Sequence, residues 1–222
     1  MDQPTPSVWN DTPSVQERIV SAISRIASVM RGGMWQFATQ EGLNPAQADM
    51  LQLLLSRREG VRLSWLAQQL AISPASASDS VSALVSKGLV QKARAADDGR
   101  AVALLLTQAG VELAQRASQS LLFAGNAVSA LPPATQEALL SGLLQLIGQL
   151  QHNERFPEIR ACITCRHFQP NRHADADDAP HHCGLVDAPL PLRLLRLDCP
   201  EHTAADANVQ RDNWQAIMPN DH

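Results

Sequence analysis

From Ser73 to Gly110 the chain reads SPASASDSVSALVSKGLVQKARAADDGRAVALLLTQAG. Ser73-Pro74 is a capping hydroxyl followed by the residue best tolerated at the first helical position. The helix it opens is expected to run to about Lys87, where Gly88 closes it. Leu89-Val90-Gln91-Lys92-Ala93 then reads as a short strand. Ala95-Ala96-Asp97-Asp98-Gly99-Arg100 is turn chemistry, and Ala101 to Leu106 is the returning strand. Thr107 caps a further helix, expected to be long and to reach about Ala130.

Upstream, Asn44-Pro45 repeats the cap-plus-proline signal, and the helix through Met50, Leu51 and Leu54 should end near Ser56. Another short helix starts near Leu63-Ser64, with Trp65, Leu66 and Leu70 on its apolar face. Before these, Val15, Ile19, Ala22, Ile23, Ile26, Val29 and Met30 recur at three- and four-residue steps from Pro13-Ser14, one face of a long helix. Gly32-Gly33 is a candidate kink in it. Downstream, Pro132-Pro133 breaks the chain, and Leu139, Leu140, Leu143, Leu144, Ile147 and Leu150 mark a last long apolar helix. Periodicity stops near Asn153. Three parts result: a loose arm over residues 1–12, a helical domain over 13–152, and a cysteine segment over 153–222. Two short helices and a hairpin flanked by long helices make a mainly α winged helix-turn-helix. In that layout the second short helix lies in the DNA major groove and the hairpin touches backbone or minor groove.

The motif Asp98-x-Arg100-x-x-x-Leu104-x-Leu106-Thr107-x-x-Gly110, with Leu84-x-x-x-Gly88-Leu89-Val90 before it, resembles the multiple-antibiotic-resistance regulator (MarR) family over roughly residues 13–152. The resemblance implies a homodimer, joined through its first and last two long helices, that reads a pseudo-palindromic operator in double-stranded DNA. It implies contacts from Ser73, Ser76, Ser78, Ser80 and Ser82 on the recognition helix, and from Arg94 and Arg100 at the wing. Hydroxyls suit phosphates and base edges, and arginine suits a groove probe. Asp98 would fix Arg100 by an ion pair. Lys87 is the only cation of the recognition helix. Asp79 stands where family members often carry Arg or Lys, and an acid facing phosphate opposes binding. The bland reading of the serines is a polar helix face. The family also implies a cleft for small aromatic molecules, with Trp35, Phe37 and Trp65 as candidate linings, although core packing suits each of them better.

Net charge is −4. Residues 1–153 balance eleven basic against eleven acidic side chains, whereas 154–222 carry seven against eleven. Nucleic-acid binding therefore rests on local clustering rather than on global charge. No apolar run approaches the roughly 20 residues of a membrane span. The N-terminus lacks a signal-peptide pattern, so a cytoplasmic protein is expected.

All four cysteines lie in the last third, as Cys162-x2-Cys165-x17-Cys183-x15-Cys199. In a reducing compartment such a set is expected to hold metal rather than form disulfides. Structural zinc more often uses two close pairs. A close pair with two isolated singles suits a [4Fe-4S] cluster, in which each thiolate addresses a different iron. The frame also resembles that of high-potential iron–sulfur proteins, without their glycine-aromatic features. Zn2+ and a metal-free dithiol sensor remain the alternatives. His167, His173, His181, His182 and His202 share the segment. His181 and His182, beside Cys183, are the first candidates for a ligand or a supporting donor, against a reading of them all as exposed loop residues. An apolar shell is expected from Phe156, Ile159, Ile163, Phe168, Leu185, Val186, Leu190, Leu192, Leu194, Leu195 and Leu197. No phosphate-binding loop, nucleophile elbow, zinc-protease or dinucleotide fingerprint appears, so an enzyme is not expected.

Overall fold

The structure, a computed structural model, describes residues 11–57, 59–94, 101–153, 155–176 and 178–217. Helix α1 spans Val15–Gln40, opened by a capping box in which Ser14 and Glu17 satisfy each other's backbone. Helix α2, Pro45–Leu55, starts with the same device from Asn44 and Gln47. Helices α3 (Leu63–Gln69) and α4 (Pro74–Ser86) follow, the latter capped by Ser73. Strands β1 (Val90–Arg94) and β2 (Val102–Leu106) pair antiparallel, Val90 opposite Leu106 and Arg94 opposite Val102. Thr107 caps α5 (Gln108–Gln119) through the Gly110 N–H, and its hydroxyl donates to Gly88 O at 2.7 Å, tying the wing's exit to its entry. These elements are the winged helix-turn-helix expected from the sequence. Met50, Leu51, Leu66 and Leu84 are fully buried at their common core.

Helix α1 continues through Gly32-Gly33 to Gln40, and Gly33 sits where α1 meets Phe123 and Ser120. One expectation fails inside this part. The long helix expected after Thr107 is two helices, α5 and α6 (Leu122–Ser129), parted at Ser120-Leu121. The hydroxyls of Ser118 and Ser120 bond the Ala114 and Ala117 carbonyls at 3.2 and 2.7 Å, and such back-bonding competes with the helical ladder.

Helix α7, Pro133–His152, leads into the cysteine segment. Instead of the little regular structure expected there, the chain forms an antiparallel meander, β3 (Phe168–Gln169), β4 (His181–Cys183) and β5 (Ala188–Leu190), and a closing helix α8 (Ala207–Ile217). A second core joins Leu144 of α7 to Ile163, Cys165, Phe168, Leu195 and Trp214, with Leu140 and Ile147 packed against it. Helix α7 thus shares its buried face with the cysteine segment. Arg193 adds an ion pair to Glu137 at 3.9 Å. Among the described residues no helix is long and apolar enough to cross a membrane.

Candidate four-thiol centre and nucleic-acid interface

Three pieces of backbone deliver the four cysteines. Cys162 opens a single 3-10 turn, Cys162–Thr164, and Cys165 ends it, its N–H bonded to Cys162 O at 2.9 Å. Cys183 closes β4, opposite Phe168 on one side and Ala188 on the other. Cys199 lies on the loop after a second 3-10 turn, Leu192–Leu194. That loop is clamped against the first: Cys162 N–H donates to Arg196 O and Cys199 N–H to Arg160 O, each at 2.9 Å.

All four are free thiols, and all four line one cavity of about 30 Å³ with Phe168, Leu185, Leu190, His167 and Glu201. Cys165 is buried and the other three are half-buried. Among the described residues no three His, Cys, Asp or Glu side chains are grouped closely enough to grip a single metal ion. Arg196 faces two of them, its backbone N–H on Cys162 Sγ at 3.2 Å and its guanidinium 3.9 Å from Cys199 Sγ. Burial pushes the Cys162 thiol up, and the other three cysteines push the same way against the Arg196 hydrogen bond. A thiol so placed becomes a thiolate when a cation binds among the four.

The histidines do other work. His181 and His182 are buried, 4% exposed each, and neither lines the cavity. His182 bonds His173 through Nδ1 and Asp187 through Nε2, both at 3.1 Å. His181 Nδ1 accepts from the Asn171 N–H and its ring packs on Phe168, with centroids 5.2 Å apart. Burial lowers the pKa of His181 and of His202, which bonds Thr164 Oγ1 at 3.0 Å. Of the five, His167 alone reaches the cavity. The expected apolar shell is split. Ile163, Phe168 and Leu195 are buried and Leu190 and Leu192 pack on them, whereas Val186, Leu194 and Leu197 face outward.

On α4, Ser76, Ser78, Asp79 and Ser82 form the outward face. Ser73 is exposed but its oxygen is engaged in capping, accepting the Ser76 N–H at 3.1 Å. Ser80 points into the core at 9% exposure, which removes it from any groove-facing set. Lys87 is exposed, and its ammonium bonds Gly42 O. Arg94 and Lys92 are exposed on β1. Asp98 and Arg100 lie outside the described residues.

Between α1 and the α5–α6 junction an open cleft of about 660 Å³ is lined by Phe37, Phe123, Gln36, Arg116 and their neighbours. Of the three aromatics expected there, Phe37 alone lines it. Trp35 points outward at 63% exposure, and Trp65 lies under the Arg57 guanidinium, 4.9 Å from its ring centre. Phe123 was not among the expected linings, because it stands beyond a helix break with no local mark.

Residues 41–101 match the MarR family, whose members are DNA-binding regulators rather than enzymes. No curated protein matches the chain. Among solved structures, a MarR-family regulator from Silicibacter pomeroyi superposes with a TM-score of 0.54 at 20% identity, over 62% of this chain and 92% of that one. CouR from Rhodococcus jostii RHA1, bound to p-coumaroyl-CoA, gives 0.51 at 20% identity over 61% and 95%. A MepR point mutant from a multidrug-resistant S. aureus clinical isolate gives 0.51 at 20% over 60% and 96%. Those chains are thus matched almost end to end, while about two-fifths of this one extends beyond the match. Over the matched part the fold is theirs.

Proposed function

We propose that this chain is a dimeric, DNA-binding transcription regulator of MarR type whose operator binding answers the state of a centre held by Cys162, Cys165, Cys183 and Cys199, a [4Fe-4S] cluster in preference to Zn2+. The observation that carries the reading is the gathering of all four thiols, from segments up to 37 positions apart, around one cavity with mostly apolar walls. The frame of one close pair and two isolated singles favours a cluster, since each thiolate then meets its own iron, whereas structural zinc more often uses two close pairs. A cluster so held would supply one-electron chemistry and sensitivity to oxygen. The chain's own part is to hold four thiolates, screen them with Phe168, Leu185 and Leu190, and direct Arg196 at two of the sulfurs.

Dimerisation is supported by surface chemistry. Val15, Ile19, Val20, Ile26 and Val29 of α1 are 50–67% exposed, and Leu139, Leu143 and Leu146 of α7 are 38–45% exposed. Exposed apolar side chains in such number mark an interface, which a second copy would cover. DNA would be read by the outer face of α4, through Ser76, Ser78 and Ser82, with Arg94 and the wing alongside. The cleft at Phe37 and Phe123 suits a small aromatic molecule as a further input, Arg116 beside it being paired with Glu41 at 2.8 Å.

Anaerobic purification followed by visible absorption, iron and acid-labile sulfide tests the centre. A coloured protein with iron and sulfide in matching amounts, lost in Cys183→Ser, is the expected result. A colourless protein with one zinc per chain leaves a structural tail on a DNA-binding dimer, and metal-free protein removes the centre altogether.

A further inference from the structure

Arg57 lies just past the end of α2, 141 positions before Asp198, yet its guanidinium bonds the Asp198 carboxylate at 2.5 Å. Asp198 is the residue immediately before Cys199. The Arg57 side chain is 11% exposed, and its guanidinium also covers Trp65 of α3. Next to it, Arg160 receives the Cys199 N–H on its carbonyl, bonds Pro200 O with its guanidinium, and comes within 3.8 Å of Glu59. The α2–α3 connection is thus held from the cysteine loop at two points.

That connection is itself part of the wing. Val61 exchanges both backbone hydrogen bonds with Leu104 of β2, at 3.1 and 2.8 Å, adding a third rung beside the hairpin. An unbroken path of bonded and packed groups therefore runs from Cys199 through Asp198 and Arg57 to Trp65 on one branch. On the other it runs through Val61 to β2.

We infer that Arg57 is the positioning residue through which the four-thiol centre sets the helix-turn-helix and wing for DNA. The inference rests on the reading above, that the thiols hold a group and the winged part binds DNA. Holding Cys199 across the cavity fixes Asp198 one residue away, and Asp198 fixes Arg57. Releasing Cys199 frees the Asp198 carboxylate and leaves a largely buried guanidinium without its partner, a state that favours rearrangement. Such a link acts within one protomer, independently of how the dimer helices are spaced.

The test uses the full-length chain, purified anaerobically, and the same protein stripped by a chelator with its thiols kept reduced. Two quantities are read in both states: amide exchange at Val61 and Leu104, and affinity for a duplex that the wild type selects from a random-sequence library. In the wild type the loaded and stripped forms are expected to differ about fivefold or more in each. Arg57→Gln is expected to remove most of that difference while metal content per chain stays unchanged. Asp198→Ser, at a side chain 41% exposed, should do the same, its fold checked by far-UV circular dichroism and by full metal content. A ratio retained in Asp198→Ser at full metal content overturns the link and leaves the sensing function standing. Equal wild-type values in the two states would instead sink the sensing reading itself, and the link with it.

Discussion

Gly110 shows how little freedom a single position can have. A Cβ built on it would lie 2.0 Å from Leu89 O, because α5 starts hard against the backbone that leaves α4. The Thr107 cap bonds the Gly110 N–H from the same side at 3.1 Å. A methyl group there must push α5 off the wing. Gly110→Ala is expected to cost about 2–3 kcal/mol, at the upper end of overpacking effects, measured as a lowered midpoint in urea unfolding. Glu17 makes a gentler case. Hydrogen bonds from the Ser14 side chain and backbone hold its carboxyl below the usual glutamate range. The capping box is therefore fully present above the unfolded carboxylate's pKa and is lost as pH falls through the lowered folded value. Amide exchange in the first turn of α1 should rise over that acid window, and Glu17→Gln should flatten the dependence.

Among the elements, the wing is built from more than its hairpin. Gly60 has a φ of +78°, and a Cβ on it would meet Leu105 Cγ at 2.8 Å and Leu104 O at 2.9 Å. The α2–α3 connection can thus lie flat on β2 only with glycine at this point, both for its left-handed backbone and for the close approach. Gly60→Ala should lift Val61 from Leu104 and raise amide exchange at both, with β1–β2 pairing retained. Affinity for DNA should fall by about tenfold, in line with the 1–3 kcal/mol typical of such strain. A variant with native exchange at Val61 would show that the third rung is not needed to seat the wing. The hairpin, by contrast, was legible beforehand: Val90 and Leu106 sit opposite each other near the strand boundaries the residues suggested. The break between α5 and α6 was not, since the bonds that Ser120 makes to the Ala117 carbonyl and Ser118 to Gln52, 66 positions away, exist only in the folded chain.

At the scale of the molecule, two hydrophobic cores share one chain. One serves the winged helix, and the other fuses α7 with the cysteine segment. The exposed apolar stripe of α1 has no cover from either. If the proposed dimer is built on this face, Ile19→Glu, at a site 50% exposed, should leave the fold intact and give a monomer in sedimentation velocity, with DNA affinity reduced accordingly. A dimer that persists would place the second copy elsewhere.

The sequence by itself determined the local elements: helix starts at Ser14, Asn44, Ser73 and Thr107, the wing, and the confinement of four thiols to one segment. Those features are written in neighbours a few positions apart, through caps, periodicity and turn residues. Only the tertiary structure decided that Ser80 faces inward, that His181 and His182 are buried away from the cavity, and that α8 closes the second core on Trp214. The same holds for Arg57 and Asp198, met across 141 positions. No local signal encodes such a pairing, because it arises where two segments distant in sequence come to rest against each other, and that is set by the packing of everything between them.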